Sequence, residues 1–248
     1  AHPYVLVNYS GNLRDVQTLA HELGHGVHQY LSRKQGVLQS GTPLVLAETA
    51  STFGEMLVFD RLVKEGNTDA SLSLLVSKID DIVATVFRQV SLNRFEDRIH
   101  TARRDQGELS PDRFSELWIE TQQAMFQDSV KLGEHYRIWW SYIPHFVHTP
   151  GYVYAYAFGE LLVLALYARY RKVGDSFAEK YLELLESGGS DWPHVLLGKL
   201  DVNLNDPDFW KEGLSAIEDM VVKAEQLANG KQTPGKQAKS KKRNRRGR

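Results

Sequence analysis

The residues with the clearest chemical potential are His21, Glu22 and His25, in the run His21-Glu22-Leu23-Gly24-His25. In an α-helix, positions i and i+4 lie on one face a turn apart, so two imidazoles at this spacing reach a single ion. A glutamate next to the first histidine projects beside that ion, where its carboxylate can take a proton from a water molecule. With nine histidines and 16 glutamates in 248 positions, roughly 0.02 such matches are expected by chance. The pattern therefore reads as a zinc site.

A hydrolytic zinc site takes a third protein ligand and leaves one position open. The chain has no cysteine, which excludes a thiolate ligand, a cysteine nucleophile and a disulfide framework. The third ligand must then be His, Asp or Glu. Continuation of the motif with Gly at 28 and His at 31 would supply one, but these positions hold His28 and Leu31. Glu48, 23 residues after His25, lies among apolar and small residues (Leu46-Ala47-Glu48-Thr49-Ala50-Ser51), where an acid requires a partner. His28 competes, being i+3 from His25, but a third ligand on one helix would crowd the ion. The residues favour Glu48 and leave His28 as a partly buried histidine that either packs or supports a ligand from behind. Glu55, seven residues on, either orients a ligand histidine through its free ring nitrogen or is a surface carboxylate. Gly24 and Gly26 weaken a helix, which suggests close approach of substrate or another backbone, or plain helix packing.

Further along, residues 143–160 read IPHFVHTPGYVYAYAFGE. Hydrolysis of a peptide bond builds an oxyanion, and neutral donors such as histidine and tyrosine hydroxyls lower that barrier. Tyr152 and Tyr156 share a helical face, whereas Tyr154 points about 200° from Tyr152. Taken by spacing alone, these aromatics are core packing.

The elements needed to position these groups are almost entirely helical. Tyr4 to Val7 predicts a short strand before the Asn8-Tyr9-Ser10-Gly11 turn signal. Asn12 is a helix cap, and helices are expected over 13–34, 44–65, 68–105, 111–130, 152–168, 175–186, 192–199 and 207–228, with residues 131–149 irregular. Ser110-Pro111 starts one of these cleanly, a cap followed by proline. Tyr152 to Ala168 is apolar but only 17 residues long and carries Glu160, so it predicts a buried core helix and not a membrane span. The composition, 42% hydrophobic and 25% charged, is ordinary for a globular domain.

The net charge of −1 hides a division. Residues 231–248 hold nine of the 30 basic residues and no acid, leaving 21 basic against 31 acidic in residues 1–230. The expected organisation is a catalytic lobe over 1–230 and a basic disordered tail over 231–248. The tail, Lys239 to Arg248 most of all, suggests a solvated segment in preference to a nucleic-acid or address signal. No charged region precedes an apolar run at the start of the chain, so no signal peptide is expected, and the expected location is cytoplasmic.

Three blocks resemble one family: HPYVLVNYSGNLRDVQTLAHELGHGVHQ, LAETASTFGE and IPHFVHTPGYVYAYAFGE are similar to the oligoendopeptidase F group, relatives of thimet oligopeptidase. The likeness covers about residues 2–200. It implies an all-α, zincin-like catalytic lobe and a zinc endopeptidase acting on short peptides in a deep channel. By motif position it implies His21, His25 and Glu48 as ligands of one zinc ion and Glu22 as general base. It further implies His145 with Tyr152 and Tyr156 as groups stabilising the transition state, the choice among Tyr152, Tyr154 and Tyr156 being open. Family members are usually more than twice this long, with an N-terminal helical region forming the other channel wall. The expectation is therefore that the chain is the C-terminal, zinc-bearing part, active or catalytically incomplete.

Overall fold

The computed structural model describes residues 2–232, which form eleven α-helices joined by short connections. The basic tail expected over 231–248 lies almost wholly outside the described residues. Helix α1 (Leu13–Ser32) begins with a reciprocal cap. The Asn12 side chain accepts from the Asp15 backbone N–H at 2.9 Å, and Asp15 accepts from the Asn12 N–H at 3.2 Å. The Ser10 hydroxyl and backbone N–H also donate to Asp15, and these bonds hold its pKa below the ordinary carboxylate value.

The helix expected over 44–65 is two helices, α2 (Leu44–Ala47) and α3 (Thr49–Glu65), interrupted at Glu48. The long helix expected over 68–105 is one rod in three parts: α4 (Thr68–Ile82), a π-helical segment (Val83–Phe87) and α5 (Arg88–Gln106). Ser110 caps α6 (Pro111–Phe126) with proline at its first turn. It ends earlier than expected because Gln127 takes a left-handed conformation (φ 49°). Residues 131–149 include a 3-10 helix (Glu134–Tyr142) and the short α7 (His145–His148). Then follow α8 (Tyr154–Val173), α9 (Asp175–Glu186), α10 (Pro193–Gly198) and α11 (Pro207–Gln232).

The all-helical expectation holds, but the strand expected at Tyr4–Val7 does not form. Those residues are irregular and leave Tyr4 and Leu6 almost fully exposed. An apolar run is not enough for a strand, which needs a neighbour to satisfy its N–H and C=O groups, and no strand is present among the described residues.

Two cores divide the chain. The larger packs α8 against α3, α4, α9, α10 and α11, around Leu162, Leu164, Leu166, Leu197 and Phe209. The smaller joins α5 and α6 to the start of α8 around Phe95, Trp118 and Val153. Both the α4–α5 rod and α8 run from one core to the other, and they carry side chains to the site between their ends. The apolar segment at 152–168 is thus a core helix, and no helix among the described residues is long and apolar enough to cross a membrane.

Candidate active site

The site begins with the contact between α1 and α3. A Cβ on Gly24 would collide with the carbonyl oxygen of Ala50 and stand 2.6 Å from Ser51 Cα, and one on Gly54 would stand 3.0 Å from the Ala20 carbonyl oxygen. Two glycines, one on each helix, thus let the backbones meet. Gly26 has no such role, since its nearest neighbour would be Val5 Cγ2 at 3.9 Å.

That approach places the break at Glu48 opposite the motif. Glu48 has φ −89° and ψ 4°, the sparsely populated bridge region where active-site residues are often found. Its Oε2 lies 3.4 Å from His21 Nε2 and 3.3 Å from His25 Nε2, and the two Nε2 atoms are 3.1 Å apart. The Ser51 hydroxyl donates to the same Oε2 at 2.7 Å and fixes its direction. These donors fit one metal ion. Ligands bonded at about 2.0–2.1 Å in a tetrahedron stand about 3.3–3.4 Å apart. Among the described residues, His21, His25 and Glu48 form the group of His, Asp and Glu side chains close enough to hold an ion.

His28 is outside this triangle. It is buried, its Nε2 is 3.4 Å from the Thr42 hydroxyl, and burial, with His25 nearby, pushes its pKa down to about 4. A neutral packed imidazole suits that environment.

Glu55 lies behind the triangle. Its Oε1 is 2.6 Å from His21 Nδ1, and its Oε2 is 3.5 Å from the Lys78 ammonium. Burial disfavours the charged carboxylate, but the His21 hydrogen bond and the Lys78 charge outweigh it and hold the pKa below the ordinary value. An ionised carboxylate can only accept, so Nδ1 carries the proton and the Nε2 lone pair faces the triangle. The same hydrogen bond, followed by the Glu55, Glu48 and Glu22 charges, raises the His21 pKa despite its partial burial. Glu22 is therefore close enough to the imidazole to act on it electrostatically.

The second group of expected residues also converges. His145 Nε2 lies 3.1 Å from the Tyr156 hydroxyl. The rings of His145, Tyr152 and Tyr156 stand 5.3–6.0 Å apart pairwise. Partial desolvation, with Tyr152 beside it, raises the Tyr156 pKa, so its hydroxyl stays a donor at neutral pH. Tyr154 is exposed and makes no hydrogen bond or ring contact with His145 among the described residues. No hydrogen bond or ring contact joins this cluster to the metal triangle among the described residues.

Sequence reasoning missed Ser51 and Lys78. Ser51 follows Glu48 at the i+3 position of a helix start, a spacing that permits a side-chain bond. Lys78 is the one charged position on the face of α4 formed by Leu74, Leu75 and Ile82, and a lone lysine on a buried face signals a paired acid.

Residues 1–216 match the model of Peptidase family M3. Oligopeptidase PepF of Bacillus subtilis is 30% identical over 234 residues, covering 91% of this chain and 35% of that protein. The chromosomal oligoendopeptidase F of Lactococcus lactis is 30% identical over 228 residues, covering 90% of this chain and 37% of that protein. The crystal structure of oligoendopeptidase-F from Enterococcus faecium superposes with a TM-score of 0.78 at 27% identity, over 88% of this chain and 40% of that one. The chain thus spans little more than a third of the length of these relatives. Matched over most of its length by the family model and by relatives of this similarity, the chain belongs to Peptidase family M3.

Proposed function

We propose that the chain carries a zinc-dependent endopeptidase site that hydrolyses internal bonds of short peptides. The observation that carries this reading is the donor triangle of His21, His25 and Glu48, with sides of 3.1–3.4 Å and Glu22 beside it on the same helix. Zinc held there would polarise the scissile carbonyl and acidify a water molecule. Glu22 accepts the proton of the attacking water and delivers it to the leaving amine. Glu55 holds His21 in the tautomer that presents Nε2, and Ser51 holds the Glu48 carboxylate. His145 and Tyr156, with Tyr152 packed against them, donate to the oxyanion as charge develops.

Short peptides as substrates are supported by the oligopeptidase and oligoendopeptidase names of the relatives. Cytoplasmic action is part of the same proposal, and fractionation of the source cells tests it.

The test uses the 248-residue chain and a quenched fluorescent peptide of about ten residues, with and without a chelator. Cleavage that the chelator abolishes and added Zn2+ restores supports the proposal. A zinc-loaded chain that binds the peptide without cleaving it supports the alternative, a catalytically incomplete zinc and peptide binder. A chain that takes up no zinc overturns both.

A further inference from the structure

Lys78 is a buried cation that the mechanism above does not use. Its side chain is 8% exposed, and its Nζ lies 3.5 Å from Glu55 Oε2 and 3.5 Å from Glu160 Oε1. Glu160, on α8, is nearly as buried at 10%. Its Oε1 has no hydrogen-bond partner among the described residues, and the Lys78 ammonium is the cation beside it. Burial disfavours the charged lysine, but the Glu160 and Glu55 carboxylates outweigh that cost and hold its pKa above the ordinary value. Three charges thus meet where α3, α4 and α8 pack together.

Each carboxylate leads to one half of the candidate site. The other oxygen of Glu55 is on His21 Nδ1 at 2.6 Å. Glu160 follows Tyr156 by four residues on α8, which puts the two on one helical face a turn apart. An apolar group of similar volume often gives equal or greater stability than a buried ion cluster, so folding alone does not account for a lysine at this point.

We propose that Lys78 is a positioning residue that ties the metal-binding half of the site to the helix bearing Tyr156, holding Glu55 against His21 and Glu160 in register beneath Tyr156. The inference rests on the reading of His21 as a metal ligand. A single ammonium suits the task because its three donors are compact and can face two acids at once. Without it, a nearly buried and a partly buried carboxylate face each other with no lysine between them, and Glu55 is free to turn from His21.

The test is made on the 248-residue chain with Lys78→Met and with the double variant Lys78→Met/Glu160→Gln, in which the second carboxylate is also neutral. Three quantities are read: Zn2+ affinity by competition with a chromophoric chelator, the visible spectrum of the Co2+-loaded protein, and hydrogen exchange over residues 154–160. The expected result is a fall in Zn2+ affinity of about tenfold or more, the loss typical of removing a group that orients a metal ligand. A shifted Co2+ spectrum and faster exchange are expected with it. The unfolding midpoint of the metal-free protein serves as control. Wild-type affinity and spectrum in both variants, whatever happens to that midpoint, overturn the inference and leave Lys78 a folding residue. Should Lys78→Met fail to fold, the double variant decides. His21→Ala separates the two levels: if it binds Zn2+ as tightly as wild type, the metal reading of His21 fails and the inference with it. If it loses Zn2+ while the Lys78 variants keep theirs, the inference alone fails.

Discussion

The Cα of Ser51 lies 2.6 Å from the point that a Cβ on Gly24 would occupy, so α1 and α3 pack backbone to backbone where the site is built. That relationship sets the sign of two substitutions of one chemical kind. Gly24→Ala should gain intrinsic helix propensity yet lose about 1–3 kcal/mol of stability, because overpacking drives the two helices apart. Zn2+ affinity should fall with it, as Glu48 moves from the histidines. Gly26→Ala, with nothing nearer than 3.9 Å, should be neutral or stabilising by about 0.5–1 kcal/mol. Urea unfolding of the metal-free forms measures both, and equal effects at the two positions would contradict the packing described.

Glu22 contributes no donor atom to the triangle. Glu22→Gln should therefore retain zinc while kcat falls by about 10²–10⁴-fold, the range associated with a general base. Metal content after dialysis and turnover of a quenched peptide are measured on one sample. Turnover near that of wild type would remove Glu22 from the mechanism.

The hydroxyl of Tyr156 faces His145 and that of Tyr154 does not. Tyr156→Phe should lower kcat by about 10²–10³-fold, the cost of one oxyanion donor, with KM and metal content little changed. Tyr154→Phe should behave as wild type. The reverse pattern would transfer the role to Tyr154.

The turn carrying Tyr152 has its own anchor. The Gly151 N–H donates to the buried Glu96 carboxylate at 2.6 Å, in a turn where Gly151 has φ 77°. Glu96→Ala strands that donor and should cost about 1.5–3 kcal/mol, as for other bonds to a charged acceptor. Glu96→Gln keeps an acceptor and should cost less. Thermal unfolding of the two variants checks the order, and equal losses would show that the charge, not the Gly151 bond, matters.

Much of the site is legible in the chain because it is local. The pairing of His21 with His25 follows from helical pitch, the cap at Asn12 from side-chain chemistry, and the restriction of candidate ligands to oxygen and imidazole from the lack of cysteine. Glu48 is visible as the lone acid of a small and apolar segment, although in the fold its side chain is 53% exposed and not buried among those neighbours. The strand at Tyr4–Val7 fails because a strand is not local: it needs a partner that the pattern of one segment does not specify.

What only the tertiary structure decided lies in contacts between distant segments. The interruption at Glu48, the Ser51 bond that aims its carboxylate, the choice of Tyr156 over Tyr154 beside His145, and the meeting of Glu55, Lys78 and Glu160 depend on which faces of α1, α3, α4 and α8 oppose one another. Helix periodicity states which residues share a face. It does not state which face they meet, and here the Gly24–Gly54 approach and the burial of α8 in the larger core set that pairing.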